Sequence, residues 1–253
     1  MSYKFIFVIL SSSYLEKTNA CYNSSNKYQI LKGYNKIYFD MFKHDIKFFF
    51  IEYKKDIIED VLEVGDFIYV KGLEDPIVPN LLNKTILSIN YINSKYKYDY
   101  IIRSNLSTFW NIPSLMLLYN NIPRNNFFGG HVVFNSFISG TGIIISHDIV
   151  PILLKINPMN FNDNDDVAIS HFMKSENIRI FHLEQSNHCK MNYQILDENV
   201  TDINSPYHKN HNLEINDTTN TDDILYFRIK NAKQERDILV TKKILKKLYN
   251  IVV

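Results

Sequence analysis

Residues 4–10 read KFIFVIL, and three serines follow at once at 11–13. An unbroken apolar run that stops at polar residues is typical of a strand buried on both faces, as in a parallel sheet. The runs KFFFI at Lys47–Ile51, FIYV at Phe67–Val70 and YDYII at Tyr98–Ile102 repeat this pattern. The repetition predicts a layer of buried strands in the first half of the chain.

Helical segments are predicted between these strands. A mixed amphipathic stretch covers about 26–43, and Asp56–Val64 has the pattern of a short helix closed by Gly65. Asn80–Ser94 carries its apolar residues at helical spacing. Strands that alternate with helices predict an α/β fold with a mostly parallel central sheet and helices on both faces.

The pattern changes after about residue 110. Phe127–Phe134 and Phe137–Ser146 are two strand-like runs close together, and Ile178–Leu183 predicts a further strand. Helices are predicted at His147–Lys155 and Val167–Ser175. The expected outline is therefore a strand pair with two helices after it, rather than a continued regular alternation.

Composition limits the class of protein. The chain has 253 residues, with 28 Lys and Arg against 27 Asp and Glu, and a net charge of +1. This balance argues against a nucleic-acid partner, which favours a basic surface. With 45% hydrophobic and 22% charged residues, the chain has the composition of a globular protein. No apolar run approaches the ~20 residues of a membrane span, so none is expected.

Four blocks of sequence are more specific in their order than any of them is alone. They read GDFIYVKGLEDPIVPNLLNKTILSINYI at Gly65–Ile92, YDYIIRSNLSTFWN at Tyr98–Asn111, FISGTGIIISHDIVPIL at Phe137–Leu153 and NDDVAISHFMKSENI at Asn164–Ile178. In this order they resemble glycosyltransferase family 31, the β-1,3-galactosyltransferase and fringe-type enzymes. The resemblance implies a single GT-A-type domain over 1–253.

The resemblance also divides the chain by role. It implies a nucleotide-sugar-binding half at 1–110 and an acceptor half at 111–253. The acceptor half contains a polar, acidic segment at 197–223, which has the character of a lid or an insert, and a basic C-terminal segment.

The family's metal-binding Asp triplet falls on Asn105, Leu106 and Ser107. These side chains lack the charge that holds a hard divalent cation, so no cofactor is expected to be required, although manganese stays an alternative. The diphosphate of the donor still needs positive partners. Arg228 and Lys230 alternate on a predicted strand and Arg236 follows, which predicts a diphosphate site; a solvated basic edge is the other interpretation.

The resemblance places the general base of the reaction at Asp166. Asp163 and Asp165 lie close by in the sequence, and crowded carboxylates favour proton uptake by one of them. The alternative is a helix cap, because Asp is favoured at helix N-termini.

The resemblance also implies the remaining site residues. Ser11 and Ser12, after the first strand, are expected to touch the nucleotide, together with Arg103, Asn105 and Ser107. Acceptor-binding residues are expected at Trp110, Gly140, Thr141, Gly142 and Asp165. For the glycines a tight turn between strands is the alternative, and for Trp110 a place in the core.

The resemblance therefore implies an inverting hexosyltransferase that uses a nucleoside diphosphate sugar, with UDP-sugars favoured, and a glycan or other hydroxyl acceptor. One alternative is a catalytically inactive relative that binds a nucleotide sugar or a glycan, and a second is a structural or interaction protein that reuses the fold. The bias toward Asn, Ile, Lys and Tyr suits an AT-rich genome such as that of a large DNA virus, with the protein in the cytoplasm or virus factory.

Overall fold

The computed structural model describes residues 2–12, 24–74, 76–183, 192–196, 224–229 and 234–253. Its strands are β1 (Ser2–Leu10), β2 (Ile46–Lys54), β3 (Val61–Val64), β4 (Phe67–Lys71), β5 (Lys97–Asn105), β6 (Thr108–Trp110), β7 (Phe128–Val133), β8 (Phe137–Ser146), β9 (Ile180–His182), β10 (Asn192–Leu196) and β11 (Ile224–Ile229). Its α-helices are α1 (Ser24–Asp40), α2 (Ile77–Lys95), α3 (Ile112–Tyr119), α4 (Val150–Leu153), α5 (Asp165–Ser175) and α6 (Gln234–Tyr249). Short 3-10 helices cover His147–Ile149 and Pro158–Asn160.

The chain forms two compact units. The first comprises Met1–Tyr14, Lys43–Asn105 and Ile122–His182, and the second comprises Leu15–Phe42, Leu106–Asn121 and Leu183–Val253. Each unit draws on both sides of residue 110, so the units do not coincide with the halves 1–110 and 111–253. No helix in the described ranges is both long enough and apolar enough to cross a membrane.

The first unit is built on an eight-stranded sheet in the described part of the chain, in the order β3-β4-β2-β1-β5-β8-β7-β9. Strands β4, β2, β1 and β5 run parallel, while β8 is antiparallel to β5. Residues Phe5–Leu10 of β1 are all buried, as a central strand covered on both faces requires. The predicted α/β class with a mostly parallel central sheet is confirmed.

Helix α2 packs along the parallel strands. Leu82, Ile86, Ile89 and Ile92 are buried in the same apolar cluster as strands β1 and β2. Val78 has extended backbone angles, so the regular helix follows it, close to the predicted start at Asn80. Ala168, Ile169 and Met173 bring α5 into this cluster.

One predicted element of the first unit is wrong. Asp56–Val64 does not form a helix: Val61–Val64 is strand β3, which pairs antiparallel with β4. Gly65 has a φ of 61°, and Val64 pairs with Phe67 across the turn. The glycine therefore makes a tight hairpin turn and does not end a helix. The sequence allowed either structure, because both use the ability of glycine to adopt positive φ.

The second unit contains α1, α3, α6 and a three-stranded sheet in the order β10-β11-β6 among its described residues. Aromatic rings fill its interior. The Tyr38 ring stacks on Tyr249 with centroids 5.4 Å apart and contacts Phe109 at 4.4 Å, while Trp110 packs on Tyr226 at 4.9 Å. Burial raises the pKa of the Tyr38 phenol well above its usual value.

Candidate active site

The carboxyl ends of β1, β2 and β5 meet at one edge of the sheet in the first unit. Leu10 of β1 pairs with Ile51 of β2 on one side and with Asn105 of β5 on the other. Ser11, the residue after β1, and Glu52, the residue after Ile51 in β2, therefore lie at this edge. Open α/β sheets bind their ligands at the carboxyl edge.

A buried lysine holds the end of β1 in place. Lys84 of α2 donates from Nζ to the backbone oxygen of Ser11 at 2.9 Å and to the Glu74 carboxylate at 2.8 and 3.0 Å. Its side chain is 2% exposed, and this burial lowers the pKa of the ammonium while the Glu74 charge opposes the change. The Ser11 hydroxyl donates to Glu52 Oε1 at 2.9 Å. One cation and two carboxylates thus fix the backbone and the hydroxyl of Ser11.

A second ion pair joins β5 to the start of α5. Arg103 binds the Asp165 carboxylate with two parallel hydrogen bonds, from Nη2 to Oδ1 at 2.6 Å and from Nε to Oδ2 at 2.8 Å. The two side chains are 3% and 1% exposed. Thr85 of α2 also donates to Asp165 Oδ2, at 3.0 Å. The remaining Arg103 nitrogen, Nη1, donates to Asn105 Oδ1 at 2.9 Å and to the backbone oxygen of Gly140.

Asp166, the next residue, presents its carboxylate differently. Oδ2 accepts from the backbone N–H of Gly140 in β8 at 2.8 Å, and Oδ1 accepts from the N–H of Val167 at 2.9 Å. The residue is half-buried. Because it lies in the first turn of α5, the helix dipole favours its negative charge. Each oxygen has one backbone donor and a second lone pair that can accept a proton.

These contacts correct two predictions. Arg103 was expected to bind the donor and Asp165 the acceptor, but both are buried and bonded to each other. The pair positions the first turn of α5, and with it the Asp166 carboxylate. Repulsion from the neighbouring carboxylates is also weaker than predicted, because the charge of Asp165 is matched by Arg103 and Asp163 is exposed.

The Gly140-Thr141-Gly142 segment lies inside strand β8, so the alternative of a tight turn is wrong. Its small residues allow close approaches instead. A Cβ on Gly130 of β7 would lie 2.4 Å from the Gly142 oxygen, and a Cβ on Gly140 would lie 2.4 Å from Arg103 Nη1 and 3.0 Å from Asp166 Oδ2. Thr141 is 8% exposed and accepts from the Ser104 hydroxyl through its backbone oxygen.

We therefore expect Gly140→Ala to disturb the pair and the carboxylate together. The added methyl group forces Arg103 to move in a packed interior, which typically destabilises by about 1–3 kcal/mol. Gly33→Ala is the control, because a Cβ there meets nothing within 4 Å and an Ala in a helix is favoured by roughly 0.5–1 kcal/mol. Urea unfolding of both variants measures the difference. A Gly140→Ala protein as stable as the wild type would show that the close approach carries no constraint.

The predicted basic site falls in the second unit. Arg228 of β11 lies opposite Thr108 of β6, and its Nη1 donates to the hydroxyl of Ser107. Two of the residues predicted to bind the donor are therefore in contact. Lys230, the segment 197–223 and the side chain of Arg236 lie outside the described residues.

The stacking role predicted for Trp110 does not fit its surroundings. The residue is 1% exposed and packs on Tyr226, so its ring offers no open face to a sugar. Its backbone oxygen accepts from the Tyr249 hydroxyl at 2.8 Å. Trp110 is a core residue of the second unit, as the alternative interpretation had it.

The residues at which the resemblance places a metal site do not offer ligands suited to a divalent cation. Asn105 Oδ1 accepts from Arg103, the Leu106 side chain is apolar and 5% exposed, and the Ser107 hydroxyl accepts from Arg228. None of them supplies the charged oxygen that hard cations prefer. Within the described ranges, no group of three or more His, Cys, Asp or Glu is placed to hold a metal ion.

No protein-family model matches the chain, and no curated protein matches it either. A solved structure does match over 93% of this chain and 98% of the other, with a TM-score of 0.50 and 10% sequence identity. That structure is of a glycosyltransferase involved in the glycosylation of the major capsid of PBCV-1. The chain therefore shares a fold with that glycosyltransferase. At this identity the likeness concerns the fold alone.

Sequence reasoning did not single out Lys84, Glu74, Glu52 or Thr85. The sequence did contain a signal for Lys84 and Thr85, because both lie on the apolar face of the predicted helix. Their neighbours on that face are Leu82, Ile86 and Ile89. A lysine on such a face needs a buried partner. Its partner could not be named from the sequence, because Glu74 precedes the helix on a different segment.

Proposed function

We propose that the protein is a glycosyltransferase that moves a hexose from a nucleoside diphosphate sugar to a hydroxyl acceptor, with inversion and with Asp166 as general base. The observation that carries the proposal is the Asp166 carboxylate: it is half-exposed at the carboxyl edge of a glycosyltransferase-like sheet and held by two backbone N–H groups. A UDP-sugar is the proposed donor, and a glycan hydroxyl is the proposed acceptor.

The surrounding contacts suit a base more than a cap. The N-cap position of α5 is Asn164, and Asp166 lies within the first turn, where its Oδ1 accepts from the N–H of Val167. The second bond, from Gly140 of β8, fixes the carboxylate relative to the sheet. The buried ion pair of Arg103 and Asp165 fixes the first turn of α5. The Asp166 carboxylate therefore keeps its orientation without rearrangement during the reaction.

In the proposed reaction the acceptor hydroxyl donates its proton to an Asp166 oxygen as the hydroxyl oxygen attacks the anomeric carbon. The bond from that carbon to the diphosphate oxygen breaks, and the nucleoside diphosphate leaves with the electron pair. Attack and departure on opposite sides of the carbon invert its configuration. The proton remains on Asp166 until it passes to solvent.

The positions of the family's metal ligands carry no charge, so the proposal includes catalysis without an added divalent cation. Arg228, Lys230 and Arg236 are proposed to neutralise the diphosphate instead. Their positive charges support this role, since arginine binds phosphate oxygens in pairs and lysine acts as a point charge.

The direct test is release of nucleotide from a panel of UDP- and GDP-sugars, with simple sugar acceptors, before and after exhaustive EDTA treatment. We expect release from at least one UDP-sugar and an unchanged rate after EDTA. A complete loss that manganese restores would overturn metal independence alone. Binding of a donor with no release from any of them would favour the inactive relative.

Arg228→Ala is expected to weaken binding of UDP by ~1.5–3 kcal/mol, the scale of a hydrogen bond to a charged group. Titration calorimetry measures the change. Lys242→Ala is the control, because it removes a half-buried positive charge from the same unit without a proposed contact to the donor. Equal affinities of the Arg228 variant and the wild type would remove Arg228 from the proposed site.

A further inference from the structure

The turn between β7 and β8 combines backbone strain with an exposed aromatic ring. Phe134 and Asn135 have φ values of 50° and 55°, and the Ser136 N–H donates to the Val133 oxygen at 2.9 Å. Both central residues of this turn have positive φ, a conformation that favours Gly, Asn and Asp. Asn135 suits it, whereas a bulky Phe at positive φ is an outlier.

Burial does not compensate for this strain, because Phe134 is 71% exposed. Neither the turn geometry nor the core of the unit therefore accounts for a phenylalanine at this position. Strained residues that the surrounding structure enforces are concentrated at ligand-binding and catalytic sites.

The hairpin also has a fixed relation to Asp166. Helix α5 runs beside β8 and contacts it at successive turns: Gly140 donates to Asp166, and Ile138 donates to the Ser170 hydroxyl at 3.0 Å. Near the tip, the Lys174 ammonium donates to the backbone oxygen of Ser136. From Asp166 to Lys174 the helix advances about 12 Å. The tip of the hairpin therefore lies farther from the Asp166 carboxylate than the acceptor sugar whose hydroxyl that carboxylate would deprotonate.

From these observations we propose that Phe134 is an acceptor-binding residue, which stacks on a sugar of the acceptor glycan beyond the unit that carries the attacking hydroxyl. The proposal rests on the proposed glycosyl transfer. The C–H face of a pyranose is apolar, and an exposed aromatic ring offers it a flat apolar surface without ordering many side-chain torsions. The protein would thereby prefer oligosaccharide acceptors over monosaccharides.

Three variants distinguish the effect of the aromatic ring of Phe134 from the effect of its backbone strain. Phe134→Ala removes the ring and keeps the strained position, Phe134→Asn removes the ring and suits positive φ, and Phe134→Trp keeps an aromatic surface. The probe is a printed array of neutral glycans from one to four sugars in length, with nucleotide release from the donor panel measured in parallel. We expect the wild type and the Trp variant to bind at least one oligosaccharide about tenfold more tightly than its terminal monosaccharide, the size of one good aromatic contact.

The Ala and Asn variants should lose this preference for length, because both lack the aromatic ring. The Asn variant should also melt about 2–4 °C higher than the wild type, because its strain is relieved. The inference is overturned if no oligosaccharide is preferred, or if the Asn variant keeps the preference. Absence of nucleotide release by the wild type from every donor would instead reject the proposed function.

Discussion

Asp166→Asn is expected to lower turnover at least about a hundredfold, the low end of the roughly 10²–10⁴-fold contribution of a general base. The amide keeps the size of the side chain and one acceptor oxygen, but it cannot take the proton of the acceptor hydroxyl. One of the two backbone N–H groups loses its partner, so stability should fall by only about 1–3 kcal/mol. Initial rates with saturating donor, set beside urea unfolding, measure the two effects.

Ser170→Ala is the matched control for this variant. Ser170 donates to the backbone oxygen of Asp166 at 2.7 Å and accepts from the Ile138 N–H, so its loss loosens the same contact between α5 and β8 without changing the carboxylate. It should lower stability by a similar amount while most of the turnover remains. If both variants lose turnover equally, Asp166 acts through the fold and another group is the base.

Arg103→Met is expected to destabilise the first unit by about 3–5 kcal/mol, because it leaves the Asp165 carboxylate buried without its cation. The exposed pair of Lys4 and Asp45 provides the control: its side chains are 38% and 43% exposed at a separation of 3.0 Å. Lys4→Met should therefore cost at most about 1 kcal/mol.

A double variant, Arg103→Met with Asp165→Leu, should recover part of the lost stability, because no unpaired charge then remains buried. Urea unfolding of the set gives the coupling between the two positions. An Arg103→Met protein that unfolds like the Lys4→Met protein would mean that the ion pair does not hold the start of α5.

The central strands of the first unit were predictable because strands buried on both faces have a recognisable sequence pattern. Phe5–Leu10 and Phe48–Ile51 are continuous apolar runs, and a chain that buries both faces of a strand needs such runs. The hairpin of β3 and β4 was not predictable in the same way. Val61–Val64 is short and half-exposed, and Gly65 suits a helix end as well as a turn.

The candidate site was predictable only in part, because its decisive contacts join distant positions. Arg103 and Asp165 are separated by 62 positions in the chain, and no local periodicity connects them. The four blocks named both residues, but they could not show that each is the partner of the other. The role predicted for Trp110 was wrong for a similar reason. A tryptophan suits a sugar-stacking surface or a hydrophobic core equally well, and only the packing of Trp110 on Tyr226 distinguishes the two.

The stereochemistry of the transfer tests the central claim most directly. Once a donor and an acceptor are identified, proton NMR of the transfer product reports the configuration of the anomeric carbon in the new glycosidic bond. A single displacement assisted by Asp166 predicts a product of inverted configuration relative to the donor sugar. A product of retained configuration would contradict the account, because retention requires chemistry other than one direct attack by the acceptor.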